Sequence, residues 1–146
     1  MAELSITAAN VHPDSLTNHS TRQVGETVTA GQSVYLKSSD NKWWLADAAD
    51  SDETAGSVGL GVALTGSAAD GYAVIAVAGT IDVGATLTAG TVYIVSDDGQ
   101  TGFNAGGICP LTDYAAWGAG TRLSILGYAS STSKLVLNVT PVSESK

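Results

Sequence analysis

Two acidic stretches give this chain its best chance of holding a cation. Residues 46–56, "ADAADSDETAG", carry Asp47, Asp50, Asp52 and Glu53, and a second group is Asp97-Asp98-Gly99. Calcium takes six to eight oxygen ligands, and its common loop reads Asp-x-Asp-x-Asp-Gly with a distal Glu. That spacing is missing here. Charge runs usually face water, so the first stretch is expected to be a solvated connector. The second is expected to be a hairpin turn before it is a ligand.

Other chemistries have still less support. His12 and His19 stand seven positions apart in a polar segment with no Cys beside them, whereas zinc sites need tighter and more numerous ligands. Cys109 is the single cysteine, so no internal disulfide can form. Within "GGICPL", and without a nearby His, it is expected to be a buried apolar filler and not a nucleophile. No Gly-x-Ser-x-Gly elbow and no Gly-Lys-Ser/Thr phosphate loop occur. A hydrolase using an acidic pair would need two carboxylates facing one pocket. A carrier domain modified at Lys42 would be at odds with the two Trp that follow that lysine. The expectation is a protein that is not an enzyme, with no metal and no cofactor.

Adhesion is the remaining option, and the indoles carry it. Trp43 and Trp44 are adjacent, so in a strand they point to opposite faces and at most one enters the core of a single sheet. Trp43, Trp44 and Trp117 are therefore candidate interface anchors, with loop cover over a core edge as the alternative for each.

The elements that would position these residues read as strands. "QSVYLK" at 32–37, the turn Ser38-Ser39-Asp40-Asn41, and "KWWLA" at 42–46 form a hairpin. "SVGLGVAL" at 57–64 has the glycines of a closely approached strand, and "GYAVIAVAGTIDV" at 71–83 is a run expected to be buried on both faces. "TVYIVS" at 91–96 and "TGFNAGG" at 101–107 make a second hairpin, and 111–120 a loop or helical turn. "TRLSILGYA" puts Leu123 and Ile125 on one side, Arg122 and Ser124 on the other. "KLVLNVT" puts Leu135, Leu137 and Val139 inward.

The same phrase occurs twice. "GETVTAGQSVYL" begins at Gly25 and "GATLTAGTVYI" at Gly84, and 84 minus 25 gives an offset of 59. Allowing a one-residue contraction aligns Tyr35 with Tyr93, and further on Gly61 aligns with Gly127. Gly31 and Gly90 are expected at turns that need positive φ. The fold class expected is all-β: a compact β-sandwich or small β-barrel built from two similar halves, with an N-terminal extension. Residues 1–22 form a polar arm, holding one short strand around Leu4 to Ala8 and then turns. It could be free, frayed or added to a neighbour's sheet. The β domain spans 23–142, with halves at about 24–81 and 83–140, and 143–146 is a polar tail.

Composition limits the partners. With 146 residues the chain suits one domain. A net charge of −8, with six scattered basic residues, argues against direct nucleic-acid binding. No apolar run reaches membrane-spanning length, and the N-terminus has no secretory leader, which suggests a soluble protein made in a reducing cytoplasm.

Taken in order, "VTAGQSVYLKSSDNKWWLADA", "VGLGVALTGSAADGYAVIAVAGTIDVGATLTAGTVYIVSDDGQTGFNAGGICPL" and "RLSILGYASSTSKLVLNV" resemble the tailed-phage capsid decoration, or cement, proteins. The likeness covers residues 24 to 140. It implies a structural virion protein, made in the host cytoplasm, that binds the outer surface of the capsid. Its partner would be the major capsid protein, its assembly a homotrimer, and its effect the stabilisation of contacts between capsomers. The arm would reach the capsid protein by strand addition. The alternative is a carbohydrate-binding or adhesive β module of a phage tail or cell surface, using the same three Trp.

Overall fold

The computed structural model describes residues 3–146, with the side chain of Ser143 left aside. The first two residues of the expected arm fall outside that range. Among the described residues, ten strands form one curled antiparallel sheet. They are β1 (Val11–Pro13), β2 (Asn18–Gln23), β3 (Ser33–Lys37), β4 (Lys42–Leu45), β5 (Leu60–Ala63), β6 (Tyr72–Val83), β7 (Val92–Val95), β8 (Ile108–Pro110), β9 (Arg122–Ala129) and β10 (Lys134–Ser145). Two short 3₁₀ turns cover Ala8–Asn10 and Leu111–Ala116. The protein is all-β, as its β-branched runs and glycine turns imply.

The strand order is β4-β3-β5-β6-β10-β9-β7-β8, which reads the same from either end once each half is renumbered. A hairpin (β3–β4 or β7–β8) pairs with a third strand (β5 or β9), which pairs with a long fourth (β6 or β10). The two fourth strands meet at the centre, with Leu135 opposite Ile81. Matching backbone bonds repeat in the two halves. Gly31 N–H donates to Ala63 at 2.7 Å and Gly90 N–H to Ala129 at 2.8 Å. Ala63 N–H returns to Gln32 and Ala129 N–H to Thr91, each at 2.9 Å.

These bonds fix the alignment of the two halves without any contraction. Gln32 corresponds to Thr91, so Val34 corresponds to Tyr93 and Tyr35 to Ile94. Val34 lies opposite Gly61 and Tyr93 opposite Gly127, which agrees. The alignment of Tyr35 with Tyr93 is thus corrected by one residue. The shared tyrosine misleads because it sits at successive positions of otherwise equivalent strands. Gly31 (φ 92°) and Gly90 (φ 84°) both take the left-handed turn expected of them.

The first half curls back on itself. Val24 bridges to Trp43, and Gly25 N–H donates to the Trp43 carbonyl at 2.9 Å. Inside this curl Val24, Val28, Val34, Trp43, Ala63, Ala73 and Ile75 form a small core. The other face of the same strands packs Tyr35, Leu60, Val62 and Ala76 against Ile81, Ile94, Leu126 and Leu135 in the larger core. Strand β6 therefore feeds two cores from alternate residues, which explains an apolar run without polar alternation.

Three local features change or refine these expectations. Residues 101–107 do not form the returning strand; turns occupy them, and the strand is the short β8. In β9 the register slips between its pairs Tyr93–Gly127 and Ile94–Ile125, so Leu126 is an extra residue. Leu123 and Ile125 share one side and Ser124 takes the other, and the bulge sets which side is inward: Ser124 and Leu126 are fully buried, whereas Leu123 and Ile125 are only partly so. The polar tail is not free either, because β10 runs to Ser145 and Lys146 Nζ donates to the carbonyls of Tyr114 (2.6 Å) and Trp117 (3.0 Å).

The arm is likewise part of the body. β1 and β2 track β6 antiparallel from Val83 back to Tyr72. Residues 4–8 form no strand, although Leu4 N–H donates to Ile108 and Thr7 N–H to Gly84, both at 2.8 Å. Leu4 and Ile6 pack on the larger core. The loop between β1 and β2 crosses β6 at Gly79 (φ 87°), where a Cβ would strike the Leu16 carbonyl oxygen. A polar segment carries no periodicity to announce such pairing, since its bonds are made by backbone.

Candidate functional site

The three indoles separate in the structure. Trp43 is 7% exposed and faces the small core, while Trp117 is 6% exposed. Trp117 meets Phe103 edge-on at 5.4 Å and Tyr114 at 5.9 Å, closing one end of the larger core. Both are corrected as interface anchors: their rings are used inside the protein. Trp44 points to the opposite face from Trp43, as adjacent strand residues must, and is half-buried. Its Nε1–H donates to Asp40 Oδ2 at 3.1 Å, its ring covers Gly25, and Lys37 Nζ sits 4.4 Å above it.

The two acidic stretches meet. Asp47, Asp97 and Asp98 each place one carboxylate oxygen within 4.8 Å of the others. Asp47 Oδ1 accepts from Ala49 N–H (3.0 Å) and Asp98 N–H (3.2 Å). Asp97 Oδ1 accepts from Gly99 N–H at 2.8 Å. Burial, with the Asp98 carboxylate beside it, pushes the Asp47 carboxyl up to about 6. Three carboxylates fall short of the oxygen count a calcium ion prefers. Their hydrogen bonds make them a clasp between the loop after β4 and the turn after β7. Asp52 pairs with Arg122 at 2.9 Å and Glu53 accepts from Ser38 N–H at 2.7 Å. The connector is therefore partly fastened to both halves instead of being wholly solvated. Sequence spacing could not reveal the clasp, because its two ends lie 51 residues apart.

His12 and His19 are both exposed, on β1 and β2. Cys109 is fully buried, and burial pushes its thiol up to about 12. Lys42 opens β4 and is held by Asp70 at 2.7 Å, so it does not stand free at a hairpin tip. Asp113 is 1% exposed, with neither carboxylate oxygen hydrogen-bonded, and burial raises its pKa.

The outer surface shows what sequence reasoning passed over. Leu16 (72% exposed) and Tyr72 (66%) are large side chains left in solvent. Tyr72 stands opposite Gln23, beside β2, whose six residues bury no side chain. The one signal in the sequence is Arg22, the single charged residue of the polar run Asn18–Gln23. No protein-family model, curated protein or solved structure matches the chain.

Proposed function

We propose that the protein is a structural virion component that binds the outer surface of a phage capsid and stabilises contacts between capsomers. The observation that carries this reading is the ordered series of turns and strands on which the resemblance rests, folded as two equivalent halves about β6 and β10. A decoration protein must present a fixed surface at many lattice positions. Here the described residues are tied down from Leu4, bonded to Ile108 of β8, to Lys146, bonded to Thr121 and Tyr114. Two cores share β6, so the halves brace each other. Weak contacts repeated over a lattice then add up through multivalency.

The docking mode changes from the one expected of a free arm. Strands β1 and β2 already pair with β6, so the capsid would meet the exposed side of the body. The adhesive alternative loses support, since two of the three rings it would stack on sugars, Trp43 and Trp117, are buried. Co-sedimentation with expanded empty heads of the encoding phage tests the proposal. Saturable binding at fixed copy number per head is expected; recovery only in the supernatant would overturn it.

A further inference from the structure

Strand β2 does something that burial does not require. Asn18 to Arg22 are exposed and Gln23 is half-buried, so the strand contributes nothing to either core. A strand normally covers one face, because burial of apolar area is what stabilises a sheet. β2 is held to β6 by backbone pairing alone, and its other side has no strand partner until Val24 reaches Trp43.

The direction of the unpaired groups can be read from the ladder. Val24 N–H donates to Gly71 and Asp70 N–H donates to Val24, both at 2.9 Å, so Val24 turns its backbone groups towards the β6 side. Backbone groups alternate along an antiparallel strand. Arg22 and Ser20 therefore bond towards β6, and Thr21 and His19 present N–H and C=O outward. Open edges of this kind are usually blocked by Pro, Lys or a bulge. From His19 to Gln23 there is no Pro or Lys, and the register is unbroken.

Charge then selects the partner. Among the described residues, Lys42, Arg122 and Lys134 each pair with a carboxylate. Lys37 lies over Trp44, and Lys146 is held by carbonyls and the Tyr114 ring. Arg22 is the exception. Its Nε–H donates to Ser20 Oγ at 3.1 Å, and no carboxylate lies within salt-bridge reach. The unneutralised guanidinium is complementary to a carboxylate at contact distance, whereas the chain's net charge of −8 acts over longer range and is screened within a Debye length of about 8 Å. Exposed Tyr72 beside Gln23 adds an aromatic anchor, and Tyr and Arg dominate interface hot spots.

We propose that the outer edge of β2 accepts an extended, acidic peptide segment of a partner protein as an added strand, with Thr21 and His19 making the backbone bonds and Arg22 pairing with its carboxylate. Strand addition draws affinity from main-chain bonds and specificity from a few side chains, which is the division of labour seen here. The inference does not depend on the capsid reading, though a capsid subunit could supply such a segment.

The test pans a library of random ten-residue peptides over the immobilised full-length protein. Enrichment of acidic sequences is expected. Their binding should fall on the order of tenfold in Arg22→Glu, where attraction becomes repulsion. It should fall similarly in Thr21→Pro, which removes an outward N–H and leaves the β6 ladder intact. Lys37→Glu, with the same charge change elsewhere, should bind as the parent does, and the Thr21 amide should gain protection from hydrogen exchange on binding. Should Thr21→Pro unfold, Arg22→Glu and the exchange data still decide the matter. Enrichment of no acidic class, or binding indifferent to Arg22→Glu, overturns the proposal, as does self-association lost in the β2 variants, which would make a second copy the occupant. No capsid is used, so failure here and failure of head binding are separate results.

Discussion

The Asp98 backbone N–H donates to Asp47 Oδ1 at 3.2 Å, fastening a loop of the first half to a turn of the second. The Asp47 carboxyl titrates at about 6 in the folded protein, against an ordinary value of 3.8. A raised folded pKa means that the folded state holds the proton more tightly. The associated stabilisation is full below the ordinary value and is lost as pH climbs through about 6.

It follows that the clasp weakens between pH 4 and pH 7. Asp47→Asn keeps an oxygen for both N–H donors and offers an N–H to the Asp98 carboxylate. The variant should match the parent at pH 4 and exceed it by about 1–2 kcal/mol at pH 7. Urea unfolding at both pH values checks this, and equal pH dependence in the two proteins would refute it.

The paired turns give a controlled comparison. A Cβ at Gly31 would collide with the Ile6 side chain, whereas at Gly90 nothing lies within 4 Å. Gly90→Ala should therefore cost only the left-handed backbone, about 1 kcal/mol, and Gly31→Ala about 2–3 kcal/mol. Denaturant midpoints measure both.

Cys109 should behave as packing. With its thiol pushed up to about 12 and its side chain fully buried, it should resist a thiol-specific reagent at pH 8 in native buffer and react fully in denaturant. Rapid native labelling would contradict the burial.

Val142 is a β-branched residue at φ 51°, inside the second register shift of β10 against β9, between Thr140 and Glu144. Its N–H donates to Ser124 Oγ at 2.9 Å, which holds the conformation in place. Val142→Gly should raise stability by roughly 1 kcal/mol, the opposite of the usual effect of glycine in a strand. Thermal unfolding reads the sign directly.

How far the sequence could be read depended on what made each element. Hairpin β3–β4 was legible because β-branched and aromatic runs flank a polar turn, and β6 because burial on two faces leaves an unbroken apolar run. Strand β2 was not, since its pairing is backbone alone and its side chains have no burial pattern to report. Alternation in β9 separates Leu123 and Ile125 from Ser124, but which side is buried is not legible, because one extra residue, Leu126, inverts every side chain beyond it. Trp43 and Trp44 were rightly placed on opposite faces. Their burial could not be read, because the small core beneath Trp43 exists only after Val24 closes the curl. The clasp at Asp47 and Asp98 needed both halves to be folded together.

Electron microscopy of intact particles from the source of this sequence tests the proposed capsid role most directly. Density fitted by this two-half β body on the outer capsid surface, between capsomers and contacted at its exposed flank, is the result expected. Particles at comparable resolution with that outer surface bare, and the protein absent from purified virions, would contradict it.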